Sequence, residues 1–396
     1  LGNDISNNNK DFTATNMAAV NQSENTPSKL YPIINIIDHS ETTLPTISEG
    51  NLRSAGPGAS RACLRTTIPI PTTGKWYWEA KWNSVASARI GFAESNSQLL
   101  SNCGESALSW GIQNDGKLIN NNVQGTTFFS WSTNDIIAMA YDADASKFWF
   151  GRIASGNTSV TWANSGNPET GANATVTSVP TQITPALDTN TGDVSLIFPE
   201  EDWTLSSKLS GFNEINSKRL TAPTYQGIDY FDTTIYEGNG KSQRVGDFVP
   251  FTDLYTVDNS IIFDLGTKNH LQRTMSAASA NSNSQFIISA WVKRVSLDTT
   301  WAHAILESTN ANGADATGFR VYSSGTQLPS GAYESYSLYF YAQGSGVTGS
   351  NVDIRTRASV GLTSAWQHVM CKVDTNQAVA TDRIKLYIDG VLQTNL

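Results

Sequence analysis

The stretch GKWYWEAKW at 74–82 constrains the fold of this chain more than any other. Successive side chains of a β-strand point to opposite faces, so Trp76, Trp78 and Trp82 share one face. Glu79 lies on the opposite, outer face. On a helix the same tryptophans would spread around the cylinder and form no continuous face. The spacing therefore predicts a half-buried strand with an aromatic inner face, which either fills a core, the commoner use, or stacks on a ligand.

A second segment, DIIAMAYDADASKFWFGR at 135–152, predicts a β-hairpin. Ile137, Met139 and Tyr141 share one face of its first strand, and the residues DADAS turn the chain back. Only 15% of the 396 residues are charged, and asparagine, serine, threonine and glycine take their place. This composition is typical of short strands joined by polar turns, so we predict an all-β fold.

The segments GKWYWEAKW, ARIGFAES, SWGIQNDGKL, DIIAMAYDADASKFWF and TPALDTNTGDVSLIF follow one another in an order that resembles the SPRY domain. More narrowly, they resemble the version found in tail and fibre proteins of bacteriophages, as do the earlier segments DISNNNKDFTATNM and ENTPSKLYPIIN. The resemblance covers residues 1–205. It implies a bent antiparallel β-sandwich in which the WYWEA strand belongs to the core.

A different resemblance covers residues 251–396. The strands QFIISAWVKR, YSLYFYAQ and AWQHVMCKVD alternate, and RIKLYIDGVLQ predicts a hairpin with Asp389 and Gly390 at its tip. The segments ISAWVKR, AWQHVMCKVD and KLYIDGVLQ resemble the laminin-G-like, or concanavalin A-like, lectin domain. In that family further strands follow the YIDG hairpin. We therefore expect a domain that is cut short, remodelled or completed by additional chain.

The two resemblances together imply two antiparallel β-sandwich (concanavalin A-like, jelly-roll) domains in tandem. The predicted parts are an extended lead-in, a SPRY-like sandwich, a linker with a short hairpin, and a lectin-like domain that is incomplete, at residues 1–29, 30–208, 209–248 and 249–396. The sequence has neither an initiator methionine nor a signal peptide, so we expect it to begin inside a longer chain.

Charge and cysteine usage exclude several classes of function. The formal net charge is −9 and no basic stripe is present, so nucleic-acid binding is not expected. There is no run of about 18 apolar residues, so no membrane insertion is expected. Cys63, Cys103 and Cys371 lack the spacing of a zinc site. A Cys63–Cys103 bond stays an alternative, but free thiols are expected for folding in a reducing cytoplasm.

The sequence predicts no catalytic residue, no metal site and no cofactor. The loop at Asp142 resembles the start of a calcium loop but lacks the required glycine and glutamate, so a hairpin turn is expected. Glu200 and Asp202 could share a face as a glycosidase pair, but no third acid follows them. The histidines show no metal spacing, and His368 alternates with core positions, which predicts an outer-face position.

What remains is binding through loops at the ends of strands. The candidate carbohydrate-binding residues are aromatic side chains in loop-like segments, namely Trp131, Trp162, Tyr333 and Tyr336. For each of them, packing of the loop onto its own domain is the alternative interpretation.

The phage resemblance implies a non-enzymatic structural protein of the virion: a fibre, tail spike or surface module, assembled in the host cytoplasm and exposed on the particle. The expected partners are host cell-surface glycan, other virion proteins and further copies of this chain, most simply in a trimer. The role is attachment or scaffolding of fibre modules, with avidity from several weak sites. An extracellular carbohydrate-binding adhesin of a cell is the alternative, and a glycoside hydrolase is a third.

Overall fold

The structure is a computed structural model. It describes residues 10–18, 21–40, 43–58, 62–220, 234–236, 243–245, 257, 259–263, 269–274, 285–295, 303–309, 316–322, 336–343, 352–360 and 365–394. The fold of these residues is all-β, as predicted: they form strands, turns and short 3-10 helices and include no α-helix. Four short 3-10 helices lie at Ala163–Ser165, Glu200–Asp202, Ser217–Arg219 and Ala380–Asp382. In this described part, no helix is long and apolar enough to cross a membrane.

The strands run antiparallel with one exception. The strands up to residue 213 are β1 (Thr13–Thr15), β2 (Gln22–Ser23), β3 (Ile34–His39), β4 (Thr46–Ser48), β5 (Arg53–Ala55), β6 (Leu64–Thr66), β7 (Lys75–Ser84), β8 (Ala88–Glu94), β9 (Ser109–Gln113), β10 (Lys117–Asn120), β11 (Val123–Thr127), β12 (Ile136–Asp142), β13 (Lys147–Ile153), β14 (Thr161–Trp162), β15 (Val176–Thr177), β16 (Ile183–Thr189), β17 (Asp193–Ile197) and β18 (Phe212–Asn213). The later strands are β19 (Thr234–Tyr236), β20 (Gln243–Val245), β21 (Ser260–Ile261), β22 (His270–Gln272), β23 (Gln285–Val292), β24 (His303–Thr309), β25 (Ala316–Tyr322), β26 (Ser337–Gln343), β27 (Val352–Ser359), β28 (Gln367–Asp374), β29 (Ile384–Ile388) and β30 (Val391–Leu392).

The chain divides into two compact units. The first contains Leu1–Ala222 and Thr256–Gln272, and the second contains Pro223–Tyr255 and Arg273–Leu396. The first unit is a sandwich of two sheets. One has the strand order β11-β10-β9-β8-β16-β6-β3, and the other β14-β13-β12-β7-β17-β5-β4, with β15 beside β13 and β18 parallel to β7.

The aromatic strand β7 supplies the centre of the first core. Trp76, Trp78 and Trp82 are 5%, 0% and 0% exposed and pack in one cluster between the two sheets. The predicted core position of this row is therefore confirmed. The predicted hairpin is also confirmed, since β12 and β13 pair from Ile136 opposite Ile153 to the turn that follows Asp142.

The outer face of β7 differs from the prediction, because it is buried as well. Glu79 has no exposed surface, and Tyr77 packs against Trp203 and Phe212 in a second apolar cluster. A segment that follows β17 lies over this face. The strand is thus buried on both sides rather than half-buried, and the cover comes from residues more than a hundred positions later in the sequence.

The first unit extends past the predicted boundary at 208. Phe212 pairs with β7 through β18, and Ile215 lies in the main core. The predicted lead-in is also part of this unit, since β1 pairs with β22 and β2 with β21. Strands that the sequence placed in the lectin-like domain therefore complete small sheets with the N-terminal segment.

The second unit contains two four-stranded sheets, ordered β23-β28-β29-β30 and β24-β25-β26-β27. The alternating residues predicted to face inward pack in one cluster, among them Phe286, Ile288, Phe340, Val369 and Cys371. Asp389 and Gly390 both have positive φ at the tip of the β29–β30 hairpin, as an Asp-Gly turn requires. The predicted linker hairpin is β19 paired with β20.

Candidate functional site

Trp131, the first predicted binding residue, lies in the core of the first unit. It is 8% exposed, and its ring centroid lies 4.9 Å from that of Phe129 and 6.2 Å from that of Trp82. Its indole Nε1 donates a hydrogen bond of 3.1 Å to the carbonyl oxygen of Gln113. The ring is buried beside two aromatic side chains and its N–H is used by the protein, so this position favours the packing interpretation.

Trp162 is separate from Trp131 within the first unit. Trp162 lies on the edge strand β14, on the opposite side of its sheet from the main core, and covers Gly151. Tyr336 belongs to the second unit, where Arg294 lies 4.2 Å from its ring centroid. Tyr333 lies outside the described residues. The structure thus leaves Trp162 and Tyr336 partly exposed at separate places.

A different aromatic surface lies on the second unit. Side chains of β23, β28 and β29 alternate, so that one set fills the core and the other faces outward. The outward set includes the charged Lys372 and Lys385, and six of its other members, which we call the Trp291 face, are Ile287, Ser289, Trp291, His368, Met370 and Tyr387. All six are partly or fully exposed, and Ile287 is 61% exposed. The face combines aromatic rings with polar side chains on a rigid sheet.

Register brings the polar and aromatic members of this face together. Trp291 lies opposite His368, and their ring centroids are 5.2 Å apart at an interplanar angle of 55°. Ser289 Oγ and His368 Nε2 share a hydrogen bond of 2.8 Å. On the other side, Met370 lies opposite Tyr387. An indole, an imidazole, a hydroxyl and a phenol therefore lie on one continuous surface.

Burial favours the neutral form of the His368 imidazole. Burial lowers the pKa of His368 below its ordinary value of 6.5, and the negative charge of Asp389 opposes this only in part. Asp389 Oδ1 accepts a hydrogen bond of 2.8 Å from the backbone N–H of His368. A neutral imidazole offers one donor and one acceptor, which suits a hydroxyl-rich ligand.

The outer face of the other sheet in this unit is already covered. Tyr339 and Tyr341 stack at 5.4 Å, and Arg355 and Arg320 lie over their rings at 4.6 and 4.5 Å. Burial and the hydrogen bond to Glu307 raise the pKa of Tyr341 to about 12. Because the arginines cover them, the two tyrosines are only 8% and 5% exposed. The two tyrosine rings are therefore part of the packing of the domain and are not available to stack on a ligand.

Two family models match the chain. The SPRY domain model matches residues 75–195. The Laminin_G_3 model, described as the concanavalin A-like lectin/glucanases superfamily, matches residues 265–395. The chain carries a SPRY domain followed by a concanavalin A-like domain. The predicted tandem is confirmed, and the Trp291 face belongs to the concanavalin A-like domain.

Solved structures resemble the SPRY domain. The SPRY domain of human HERC1 is 12% identical, with a TM-score of 0.30, over 41% of this chain and 96% of that chain. The PSpry domain of TRIM65 is 15% identical, with a TM-score of 0.31, over 43% and 93%. Stonustoxin is 16% identical, with a TM-score of 0.30, over 42% of this chain and 27% of its own. No curated protein matches the sequence.

The geometry of the candidate catalytic groups favours structural roles. Glu200 and Asp202 lie on a 3-10 helix after the last long strand of the SPRY domain, where Glu200 pairs with Lys208 and burial raises the pKa of Asp202.

The alternation of the strand QFIISAWVKR indicates the Trp291 face, although the binding residues were predicted in loops. Its inner and outer positions agree with the structure, and His368 lies on the outer face as predicted. A tryptophan on the outer face of an alternating strand is unusual, because a large apolar ring gains most from burial. That position, and not loop membership, distinguishes Trp291.

Proposed function

We propose that this chain is a non-enzymatic binding protein of a bacteriophage particle, and that the Trp291 face of its concanavalin A-like domain attaches to glycan on the host surface. The observation that carries the glycan proposal is the cluster of half-exposed Trp291 and His368 with exposed Ser289 on one sheet face. The tandem of two domain types that usually serve as binding modules supports a non-enzymatic role.

The chemistry of the face suits a sugar. The apolar side of a pyranose ring stacks on an indole, and its hydroxyl groups need neutral donors and acceptors nearby. Trp291 supplies the ring, and the Ser289–His368 pair and Tyr387 supply the polar atoms. Such a site is shallow and therefore weak. Attachment would depend on several copies per particle, through a homo-oligomer for which a trimer is the simplest arrangement.

The test is a binding titration of the full chain against immobilised oligosaccharides of glucose, galactose and N-acetylglucosamine, and against host-cell polysaccharide. We expect Trp291→Ala to weaken binding about five- to tenfold, because stacking of this kind is worth about 1–1.4 kcal/mol. Val379→Ala is the matched control, since Val379 is an exposed apolar residue of the same domain away from the face.

Equal binding by Trp291→Ala and the wild type would refute the assignment to this face. Loss of binding in Trp162→Ala instead would move the site to the SPRY domain. The virion role is tested separately, by mass spectrometry of purified particles. Detection on a cell surface without particles would favour the adhesin alternative, and release of reducing ends from the polysaccharide would favour the hydrolase.

A further inference from the structure

Two cysteines meet beneath a loop of the SPRY domain. The segment between β8 and β9, residues 95–108, folds over the outer face of the seven-stranded sheet. Beneath it lies a small buried cluster of Cys63, Ala93, Leu99, Cys103 and Ala186. Cys63 directly precedes β6 in the sheet, and Cys103 belongs to the loop. The proposed binding function uses neither residue.

Several contacts hold the loop cysteine in place. The backbone N–H of Cys103 donates a hydrogen bond of 2.8 Å to Asp188 Oδ2, and its Sγ lies 3.4 Å from the carbonyl oxygen of Trp110. On the sheet, Leu64 pairs with Leu187, which places Cys63 beside Asp188. Cys63 and Cys103 pack in the same buried cluster, where Cys103 Sγ also lies 3.8 Å from the carbonyl oxygen of Ala186. The two side chains are therefore neighbours.

Both residues are free thiols in this structure. The neighbouring Cys103 thiol raises the pKa of Cys63, and burial and the charge of Asp188 raise that pKa further. Since the thiolate is the reactive form, the closed cluster resists oxidation. Reaction therefore requires the loop to open, which exposes Cys103 first because the loop carries it.

We propose that Cys63 and Cys103 form a peroxide-driven disulfide that fastens loop 95–108 to the sheet. In the open loop, the Cys103 thiol loses its proton, and the thiolate attacks one oxygen of hydrogen peroxide and breaks the O–O bond, which gives a sulfenic acid and a hydroxide that takes up that proton as water. On closure, the Cys63 sulfur attacks the Cys103 sulfur, the S–O bond breaks, and the hydroxide leaves as water with the Cys63 proton. Two thiols and one peroxide thus give one disulfide and two waters.

The test uses the full chain, treated with hydrogen peroxide, quenched and then unfolded. Wild-type protein, with three cysteines, should fall from three titratable thiols to one and lose two hydrogen atoms in mass. Peptide mapping should find Cys63 linked to Cys103, and dithiothreitol should restore all three thiols. The bond closes a loop of about 40 residues, so the thermal transition of the SPRY domain should rise by about 5–10 °C.

Three serine variants make the result specific. Cys371→Ser should still form the bond and fall from two thiols to none, because Cys371 lies in the core of the other unit. Cys63→Ser and Cys103→Ser should show neither the linked peptide nor the rise in melting temperature. The proposal is overturned if wild-type protein keeps three thiols, if its cysteines oxidise separately without a linked peptide, or if Cys371 supplies the cross-link.

Discussion

Trp78 shows at a single residue how the aromatic strand is used. Its ring has no exposed surface and meets Phe148 edge-on, with centroids 5.5 Å apart. Among the described atoms its indole N–H has no hydrogen-bond partner. A ligand-binding tryptophan would present an open face, and an amphipathic one would use its N–H. Trp78 contributes through volume and apolar contact alone.

Trp78→Ala should therefore destabilise the SPRY domain by about 3–5 kcal/mol, since it removes a buried ring and leaves a cavity between the sheets. Differential scanning calorimetry of the full chain should show the SPRY transition lowered by about 10 °C. Trp78→Phe is the control. It should cost much less than the alanine variant, because the lost N–H makes no hydrogen bond. An unchanged transition in Trp78→Ala would show that the ring is not part of the core.

The outer face of the same strand shows what alternation alone does not reveal. Glu79 was predicted to face outward, and it accepts hydrogen bonds from the Tyr77 hydroxyl and from the backbone N–H groups of Thr204 and Leu205, at 2.8, 2.7 and 3.1 Å. The period of two separates the faces of a strand correctly. It carries no information on a covering segment that returns from far along the chain.

The Trp291 face could not be predicted from the sequence for a related reason. Trp131 lies in a polar, loop-like segment, which suggested exposure, yet the segment folds inward and buries the ring. Trp291 lies in a regular strand and not in a loop, and its alternation places it on the outer face. Local pattern assigns the element and the face, but exposure depends on which faces other elements cover.

Asp135 joins three elements of the SPRY domain at the start of β12. It has 1% of its surface exposed, and its carboxylate accepts hydrogen bonds from the backbone N–H of Ser132 and Ser155 and from Arg152 Nε, at 2.7, 2.9 and 2.7 Å. Burial opposes its ionisation, but these bonds outweigh burial and lower the pKa of Asp135.

This arrangement predicts that ionised Asp135 stabilises the SPRY domain and that acid removes this stabilisation. A carboxyl with a lowered folded-state pKa adds stability above its unfolded value, near pH 4, and that stability is lost as pH falls through the folded value. Asp135→Asn should therefore lower the SPRY melting temperature at pH 7, and the gap to wild type should narrow below about pH 4. Asp115→Asn, at an exposed turn, should leave the melting temperature nearly unchanged at every pH. A difference in melting temperature between wild type and Asp135→Asn that stays constant with pH would contradict this role of the Asp135 carboxylate.

At the scale of the whole molecule, the sequence predicted two sandwiches but not which distant segments pair within the first of them. β22 lies inside the region matched by the concanavalin A-like model, yet it pairs with β1 in the first unit. The paired residues are more than 200 positions apart. Their strands are three residues long and their pattern is too short to specify a partner. Long-range pairing of short polar strands is therefore invisible to periodicity.

The end of the SPRY domain provides a test at the same scale. Residues 209–216 complete it: Phe212 covers the outer face of β7, Ile215 enters the main core, and buried Glu214 accepts a hydrogen bond of 2.8 Å from the Tyr31 hydroxyl. A fragment of residues 1–220 retains all of these contacts. A fragment that ends at 208 loses them and exposes the part of the outer face of β7 that Phe212 covers, while Trp203 and Leu205 stay in place.

We expect residues 1–220 to give a soluble monomer with a cooperative thermal transition. Residues 1–208 should melt at least about 10 °C lower or aggregate, because exposed sheet faces and lost buried side chains cost several kcal/mol. Phe212→Ala in the longer fragment should fall between the two, since it removes one covering ring but keeps Ile215 and Glu214. Circular dichroism melts with size-exclusion chromatography measure all three. If the two fragments melt together, the segment after 208 does not contribute to the stability of the domain.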